Sequence, residues 1–215
     1  MPMTVTAQLP DTERDDQRDR ELLRAVSARD ERALEQLYRL YRRPLRQFLA
    51  RLQSGGDSLD EAINDTFWVV WCQAGQFRGA SRVSTWITGI AWRCALSALR
   101  RNRSGIARPR HADPRVPHAD GEPGASEPHV TDERSEWLAR GMASLPIEQQ
   151  ATLQLAYFLG HSCAEIAQIM ECPVNTVKAR MFQARIKLRN VLPVLGGASV
   201  EASVGIEGDA PSGGE

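Results

Sequence analysis

The sequence contains no long apolar run and nothing that resembles a targeting signal. The longest apolar stretches of the 215-residue chain are far shorter than the roughly 18 residues that a membrane-spanning helix needs. Residues Met1 to Arg20 are polar and acid-rich, without the apolar centre and small-residue cleavage site of a signal peptide. We therefore expect a cytoplasmic protein with no membrane insertion.

Cysteine and histidine are scarce, with four of each. Cys72, Cys94, Cys163 and Cys172 form no CxxC pair, so we expect reduced thiols. Cys72 and Cys94 lie in apolar helical patterns, which predicts that both pack in the core. His161, Cys163 and Cys172 are a candidate set of metal ligands, and ordinary packing is the alternative that we favour. The other histidines lie in a proline-rich segment, so the sequence offers little material for a catalytic site and we predict no cofactor.

The chain also lacks net charge, which argues mildly against a protein that only binds nucleic acid. The charges are unevenly distributed, however. Five acids lie between Asp11 and Asp19, and six arginines with one acid lie between Arg100 and Arg115. Val174 to Asn190 contains five basic residues and no acid. Because local basic segments, rather than net charge, attract nucleic acid, this distribution is compatible with DNA binding.

Hydrophobic periodicity divides the chain into two structured parts. Residues 20–103 and 132–194 carry apolar residues at helical spacing without strand-like alternation. Residues 104–131 contain five prolines and three glycines, a composition that does not form a packed core. We predict an all-α fold of two small helical domains joined by a flexible linker. Residues 1–19 and 195–215 are predicted to be disordered.

Helix boundaries in the first part follow from glycine, proline and capping signals. The apolar stripe from Leu34 to Leu52 is interrupted by Pro44, where we expect the helix to kink or restart. Gly55 and Gly56 are predicted to end that helix. Ser58 to Glu61 has the pattern of a capping box that opens the next helix. The predicted apolar stripe of that helix is Leu59, Ile63, Phe67, Val70 and Trp71.

The second part contains the strongest local motif, a helix-turn-helix over residues 162–189. Ser162 to Glu165 is a second capping box, and Glu171 begins a turn before Pro173, which suits the first position of a helix. That last helix places apolar residues inward and basic and short polar residues outward, as expected for a helix that enters the major groove. A solvated basic helix on an ordinary bundle is the alternative.

At this point the chain resembles a known family, the sigma-70-type transcription initiation factors. Four segments resemble region 4 of that family, which reads the −35 promoter element: 145–149, 157–160, 164–167 and 173–180. Four further segments resemble region 2: 60–67, 77–79, 85–91 and 99–101. With these two regions alone, over roughly 145 residues in the family's order, the chain is similar to the extracytoplasmic-function (ECF) subgroup. The resemblance implies a factor that binds core RNA polymerase and promoter DNA, is sequestered by an anti-sigma factor, and leaves catalysis to the polymerase.

The resemblance assigns polymerase binding to the helix that begins near residue 60. The residues expected to face the polymerase clamp are Asp60, Glu61, Asn64 and Asp65. Acidic side chains there complement basic groups on a partner and fix its orientation. The alternative is an acidic first turn that only complements the helix dipole.

The resemblance assigns −10 DNA binding and melting to Phe77–Trp92 and the arginines after it. Aromatic faces capture unstacked bases, for which Trp86 and Trp92 are the candidates, and arginines contact phosphates. Trp86 begins an apolar stripe and has core packing as its alternative, whereas Trp92 is expected to be the more exposed. The predicted phosphate contacts are Arg78, Arg82, Arg93, Arg100 and Arg101.

The resemblance assigns −35 recognition to the last helix, whose first residues reach base edges while later basic residues neutralise phosphates. The predicted set is Asn175, Thr176, Lys178, Ala179, Arg180, Phe182, Arg185 and Lys187. Phe182 has core packing as its alternative.

Several residues depart from the family pattern. Asn64 stands where glutamine is usual, and Arg93 and Ser97 replace a common asparagine and aspartate, so the −10 specificity is not carried over. Glu171 occupies a turn position that is usually glycine. If that position requires a positive φ, glutamate costs about 1–2 kcal/mol.

Two other functions are compatible with parts of the sequence. A stand-alone helix-turn-helix regulator explains residues 162–189 but leaves Asp60 to Trp71 without a purpose. An enzyme that acts on DNA requires clustered catalytic carboxylates or a metal site, for which the sequence offers few residues.

Overall fold

The computed structural model describes residues 13–52, 57–104 and 133–195. Within these ranges the chain forms eight α-helices, one 3-10 helix and no strand, which confirms the all-α prediction. The α-helices are α1 (Glu13–Ser27), α2 (Glu31–Ala50), α3 (Asp57–Gln73), α4 (Val83–Ser104), α5 (Glu133–Ala143), α6 (Ile147–Tyr157), α7 (Cys163–Ile169) and α8 (Val174–Leu195), and the 3-10 helix is Ala74–Gln76.

Helix α1 begins inside the segment that was predicted to be disordered. Residues 13–19 are helical, so that prediction is wrong for them, and residues 1–12 lie outside the described ranges. The acidic composition was misleading because two of the acids bond to the protein. Asp16 accepts a hydrogen bond from the backbone N–H of Val83 at 2.9 Å, and Asp19 is buried. Leu23 and Val26 anchor the helix in the core.

Helix α2 runs without a break through Pro44, so it does not restart there. Its N-cap is Asp30, whose carboxylate accepts from two backbone N–H groups of the first turn. A proline inside a helix costs about 3 kcal/mol, and burial of Tyr41, Leu45 and Phe48 beside it offsets that cost. The helix ends at Ala50, and the glycine pair that was expected to end it lies outside the described residues.

Helix α3 begins two residues earlier than the sequence indicated. Its first residue is Asp57, which places Ser58 within the first turn rather than at the cap, so the predicted capping box is misplaced. The apolar side of the helix faces the core through Leu59, Ile63, Phe67 and Val70, as its periodicity predicts.

Helices α1–α4 and α5–α8 are packed against each other. In the first group α3 packs on α4 and α1 on α2, while in the second α8 packs on α5, α6 and α7. Helix α4 also packs along α7, and one continuous apolar cluster extends from Ile87 and Trp92 of the first group to Leu155 and Ile166 of the second. Ser104, the first residue of the predicted linker, is the last residue of α4, and residues 105–131 lie outside the described residues.

Candidate polymerase-binding and DNA-binding surfaces

The outward face of α3 carries the acidic residues predicted to bind polymerase. Asp60, Glu61 and Asn64 are exposed, and Asp65 is half-buried. Asp60 forms an ion pair with Arg46 of α2. Because the helix's apolar residues fill the opposite side, the four predicted side chains are not required for the core.

Sequence reasoning missed Trp68 on the same helix. Its side chain is 48% exposed and follows Asn64 by four residues, which places the two on one side of the helix. An aromatic residue inside an apolar run reads as core, and only the helical phase relative to Ile63 and Phe67 indicates otherwise. Cys72, four residues further on, is exposed as well, so its predicted place in the core is wrong.

The loop and helix predicted to melt DNA hold a pair of half-buried aromatic rings. Phe77 and Trp86 lie with their centroids 5.4 Å apart, and the guanidinium of Arg20 lies 5.5 Å from the centre of the Phe77 ring. Trp86 therefore contributes to packing while keeping part of its surface exposed. Arg78 is exposed beside this pair, and Gly79 has φ +73°, a conformation that glycine adopts without strain.

Trp92 is buried, which contradicts its predicted exposure. Only 3% of the residue is accessible, because α7 packs over this part of α4 and Trp92 lines the same cleft as Ile169 and Met170. The local sequence pattern contained no sign of this packing, since α7 lies more than 70 residues away in the chain. At the C-terminal end of α4, Arg100 is exposed and Arg101 is half-buried.

The remaining arginines predicted to contact −10 DNA are engaged by the helix-turn-helix. Arg93 forms an ion pair with Glu171, with Nη1 and Oε1 2.8 Å apart. Arg82 pairs with Glu165 at 3.6 Å between Nε and Oε1, and the buried Thr85 hydroxyl donates to the same carboxylate oxygen at 3.2 Å. Both arginines remain nearly half exposed.

The capping box that opens α7 is confirmed. Ser162 accepts from the backbone N–H of Glu165, and the Glu165 carboxylate accepts from the backbone N–H of Ser162 at 2.9 Å. Burial acts to raise the pKa of Glu165, but the hydrogen bonds from Ser162 and the positive charges of His161 and Arg82 outweigh it and hold this pKa below its usual value. Glu165 is therefore a carboxylate at neutral pH.

The turn between α7 and α8 has the strained geometry that the sequence suggested. Glu171 has φ +52°, in the left-handed region that favours glycine. The backbone N–H of the next residue, Cys172, bonds back to the carbonyl of Ala167 at 3.0 Å. Pro173 precedes the first helical residue, and its carbonyl accepts from Thr176 N–H at 2.9 Å. Pro173 is thus the N-cap of α8, and the helix begins at Val174, one residue later than predicted.

Helix α8 presents the predicted DNA-reading residues on its outer side. Val177 and Ala184 are fully buried, and the exposed members of the predicted set are Asn175, Lys178, Ala179, Phe182, Arg185 and Lys187. Thr176 and Arg180 are half-buried. Phe182 is 64% exposed, so its alternative role in the core is wrong.

Some of the basic side chains on α8 are held in place by neighbouring groups. Arg185 donates to the Tyr157 hydroxyl at 2.6 Å, and Lys187 donates to the Ser144 carbonyl at 2.6 Å. The guanidinium of Arg180 lies 3.6 Å from the sulfur of Cys172. Lys178 makes no hydrogen bond or ion pair with any described residue and remains available to a ligand.

The candidate metal ligands do not form a metal site in the described part of the chain. His161 is buried, Cys163 lies 3.9 Å from the sulfur of Met181, and Cys172 contacts Arg180. No group of three or more potential ligands is suitably arranged among the described residues. None of the helices in these ranges is long and apolar enough to cross a membrane.

Comparison with known proteins agrees with this arrangement. Residues 37–105 match the family model for sigma-70 region 2, and residues 135–188 match that for sigma-70 region 4. The ECF RNA polymerase sigma factor SigM of Mycobacterium tuberculosis is 33% identical over 183 residues, covering 85% of this chain and 88% of that protein. This chain belongs to the extracytoplasmic-function group of sigma-70 RNA polymerase sigma factors.

Further relatives of this sigma factor fit the same assignment. The ECF sigma factor RpoE of Cereibacter sphaeroides is 28% identical over 78% of this chain and 91% of that protein. Two solved structures share the fold. The CnrH complex with the cytosolic domain of CnrY has a TM-score of 0.61 and 19% identity, covering 82% of this chain and 98% of that chain. RpoE with the anti-sigma factor NepR from Bartonella quintana has a TM-score of 0.55 and 22% identity, covering 74% and 96%.

The match to region 2 decides between the functions that the sequence left open. A stand-alone helix-turn-helix regulator does not account for it, whereas an ECF sigma factor contains both matched regions. The protein is a sigma factor that acts with RNA polymerase in transcription initiation. Such factors are regulatory initiation factors.

Proposed function

We propose that this sigma factor docks on core RNA polymerase through the outer face of α3. The observation that supports this most directly is that Asp60, Glu61 and Asn64 are exposed on the same side as Trp68, away from the packed core. Acids orient a basic partner surface, and a half-exposed tryptophan supplies the large apolar contact that dominates many interfaces. Trp68 is an addition to the residues predicted from sequence.

The promoter would be contacted by two separate surfaces. Around the −10 element, Arg78, Arg100 and Arg101 neutralise phosphates, and the Phe77–Trp86 ring pair stacks with a base released from the duplex. Arg82, Arg93 and Trp92 join this surface once α7 moves away. At the −35 element, the exposed face of α8 enters the major groove.

On α8 the side chains are suited to different tasks. Lys178 is exposed in the second turn and unengaged, so it is placed to reach base edges together with Asn175. The exposed ring of Phe182 offers an apolar contact to a thymine methyl group. Arg185, held by Tyr157, is suited to a phosphate contact at fixed register.

The partners that we propose are core RNA polymerase, promoter DNA and an anti-sigma factor. The last follows from similarity, because one of the solved relatives is bound to an anti-sigma factor. The protein needs no cofactor, performs no catalysis of its own, and works in the cytoplasm, where polymerase and chromosome are found.

Transcription in vitro tests the proposal. The full chain and core polymerase are incubated with a promoter library, and the transcripts are sequenced to identify the templates used. We expect transcripts from a defined promoter class only when both components are present. If the chain binds operator-like DNA but never directs polymerase to a start site, the proposed function is wrong.

A further inference from the structure

Two residues at which this chain departs from the family pattern are bonded to each other. Arg93 stands in place of a common asparagine on α4, and Glu171 stands in place of the usual glycine in the helix-turn-helix turn. Their side chains meet across the boundary between the two groups of helices, 2.8 Å apart. Glu171 has φ +52°, a conformation that glycine would hold without strain. The ion pair therefore joins α4 directly to the turn between α7 and α8.

A second pair crosses the same boundary. Glu165, in the first turn of α7, approaches Arg82 and accepts a hydrogen bond from Thr85. Glu171 follows the last residue of α7 by two positions. The carboxylates of Glu165 and Glu171 therefore contact α4 from opposite ends of one short helix. Both arginines belong to the set predicted to contact DNA phosphates.

Between the two ion pairs the helices touch through apolar groups. Trp92 and Ile169 are almost fully buried there. At Gly89 an added Cβ would lie 3.7 Å from the Ile169 Cα, an ordinary van der Waals distance, so α4 and α7 are in direct contact there. A further contact lies outside this patch, where Gln150 donates to the carbonyl of Arg51 at 2.6 Å. The boundary is thus a continuous packed surface.

A carboxylate and a phosphate bind a guanidinium in the same way, since both are anions that accept hydrogen bonds from its N–H groups. We propose that α7 and its turn form a latch in which Glu165 and Glu171 occupy the places of DNA phosphates on Arg82 and Arg93, while α7 covers Trp92. The latch keeps the free sigma factor from holding single-stranded DNA, and polymerase or promoter DNA opens it. This inference rests on the proposed role of α4 in binding −10 DNA.

The ion pairs make a small contribution to the closed form of the latch. Its ion pairs are partly exposed to solvent, and such pairs each change an equilibrium by no more than about fivefold. Removing the Glu171 carboxylate should therefore shift the closed-to-open ratio by about two- to fivefold. Salt should act in the same direction, because it screens exposed pairs.

The test compares Glu171→Gln with a matched control, Glu35→Gln, which removes an exposed glutamate that pairs with Arg39 within α2. Spin labels at exposed Arg43 and Asn190, introduced as unnatural amino acids, report the distance between the two helix groups in the full-length free protein. A labelled single strand of mixed sequence reports DNA binding. We expect Glu171→Gln to populate longer distances and to bind the strand about two- to fivefold more tightly, with no change in Glu35→Gln.

Two further variants test whether the effect comes from the ion pair itself rather than from a general change in charge or stability. The charge swap Arg93→Glu with Glu171→Arg should restore the closed distance that Arg93→Glu alone loses. Glu171→Gly should open the latch and yet raise the melting temperature of the helix-turn-helix, because it also removes the strained φ. The proposal is overturned if Glu171→Gln matches the control, or if the charge swap remains as open as the single variant.

Transcription separates this proposal from the proposed function. With saturating core polymerase, Glu171→Gln should transcribe as well as wild type, because the holoenzyme is already open. If neither protein directs transcription, the proposed function fails. If both do while distances and strand binding are unaltered by the substitution, the latch alone is wrong.

Discussion

The phenolic hydroxyl of Tyr41 donates a hydrogen bond to the carboxylate of Asp19, and both side chains are buried. This bond ties α1 to α2, and Arg18 adds hydrogen bonds to the other carboxylate oxygen. Burial raises the pKa of Asp19 above its usual value despite the opposing effect of Tyr41 and Arg18. The pair therefore contributes to stability in a way that can be measured.

Tyr41→Phe should lower the free energy of unfolding by about 1–3 kcal/mol, because it leaves a buried carboxylate without one of its donors. Urea unfolding followed by circular dichroism measures the change. Tyr38→Phe is the control, since the Tyr38 hydroxyl bonds to no described residue, and it should change stability by less than about 0.5 kcal/mol. Equal effects of the two substitutions would contradict this account.

Asp19→Asn should gain stability relative to wild type as the pH rises. The folded-state pKa of Asp19 is raised, so its contribution is fully present below the unfolded value, about 3.9, and is lost as the pH rises through the folded pKa. The asparagine has no such loss. Unfolding free energies of both proteins measured from about pH 4 to pH 8 should therefore diverge in favour of the variant, and parallel curves would show that burial does not penalise the carboxylate.

Reversing the charge of α3 should abolish polymerase binding. Asp60→Arg combined with Asp65→Arg places cations on the face that we propose meets the clamp, so pull-down of core polymerase should be lost while helical circular dichroism is retained. Glu31→Arg with Glu35→Arg reverses the same number of exposed charges on α2 and should bind normally. Wild-type affinity in the α3 variant would remove these residues from the interface.

Two basic residues of α8 should differ in what they contribute to promoter binding. Lys178→Ala should weaken or relax the base preference at one promoter position, whereas Arg185→Ala should weaken all promoters about equally and lower the salt slope by about 1. Holoenzyme binding to a promoter library at several salt concentrations measures both effects. An unchanged base preference in Lys178→Ala would exclude it from the base-reading set.

The linker predicted at residues 104–131 should not set the distance between the promoter elements. A coil of the 28 residues 104–131 would have a root-mean-square end-to-end distance of about 30 Å, so it lets the two DNA-binding regions move apart without fixing the distance between them. Deleting about five residues between Pro117 and Gly124 should leave the optimal promoter spacing unchanged in templates that vary by single base pairs. An optimum that moves with linker length would identify the segment as a ruler.

Much of the fold was predictable because the buried side of a helix is marked in the sequence by apolar residues at helical spacing. The spacing of Leu59, Ile63 and Phe67 predicted which side of α3 faces the core, and the capping box at Ser162 marked the start of α7. Glu171 also indicated the strained turn, because it occupies a position of the motif that is usually glycine.

The errors concern contacts between residues that are distant in the chain. Trp92 is buried by α7, and no pattern within α4 records that neighbour. The acids of α1 resembled a solvated tail because their partners, Val83 and Tyr41, lie in other helices. Cys72 was assigned to the core by hydrophobicity and Trp68 was not singled out, whereas the phase of both residues on α3 decided their exposure. Local periodicity determines which residues share a side, and only tertiary packing determines what covers that side.

The buried contact at Trp92 also gives the sigma factor a calorimetric signature. If α7 must leave α4 before the promoter is engaged, apolar surface is hydrated first, and hydration of apolar surface raises the heat capacity. The heat-capacity change of polymerase binding should then be less negative than burial of the interface between sigma factor and polymerase would produce by itself. Titration calorimetry at several temperatures should give a more negative heat-capacity change for Glu171→Gln than for wild type, because the variant is already partly open. Apolar contacts weaken on cooling because the hydration of apolar surface depends on temperature. The fraction of this sigma factor in the open form would therefore vary with temperature, and with it the fraction able to initiate transcription.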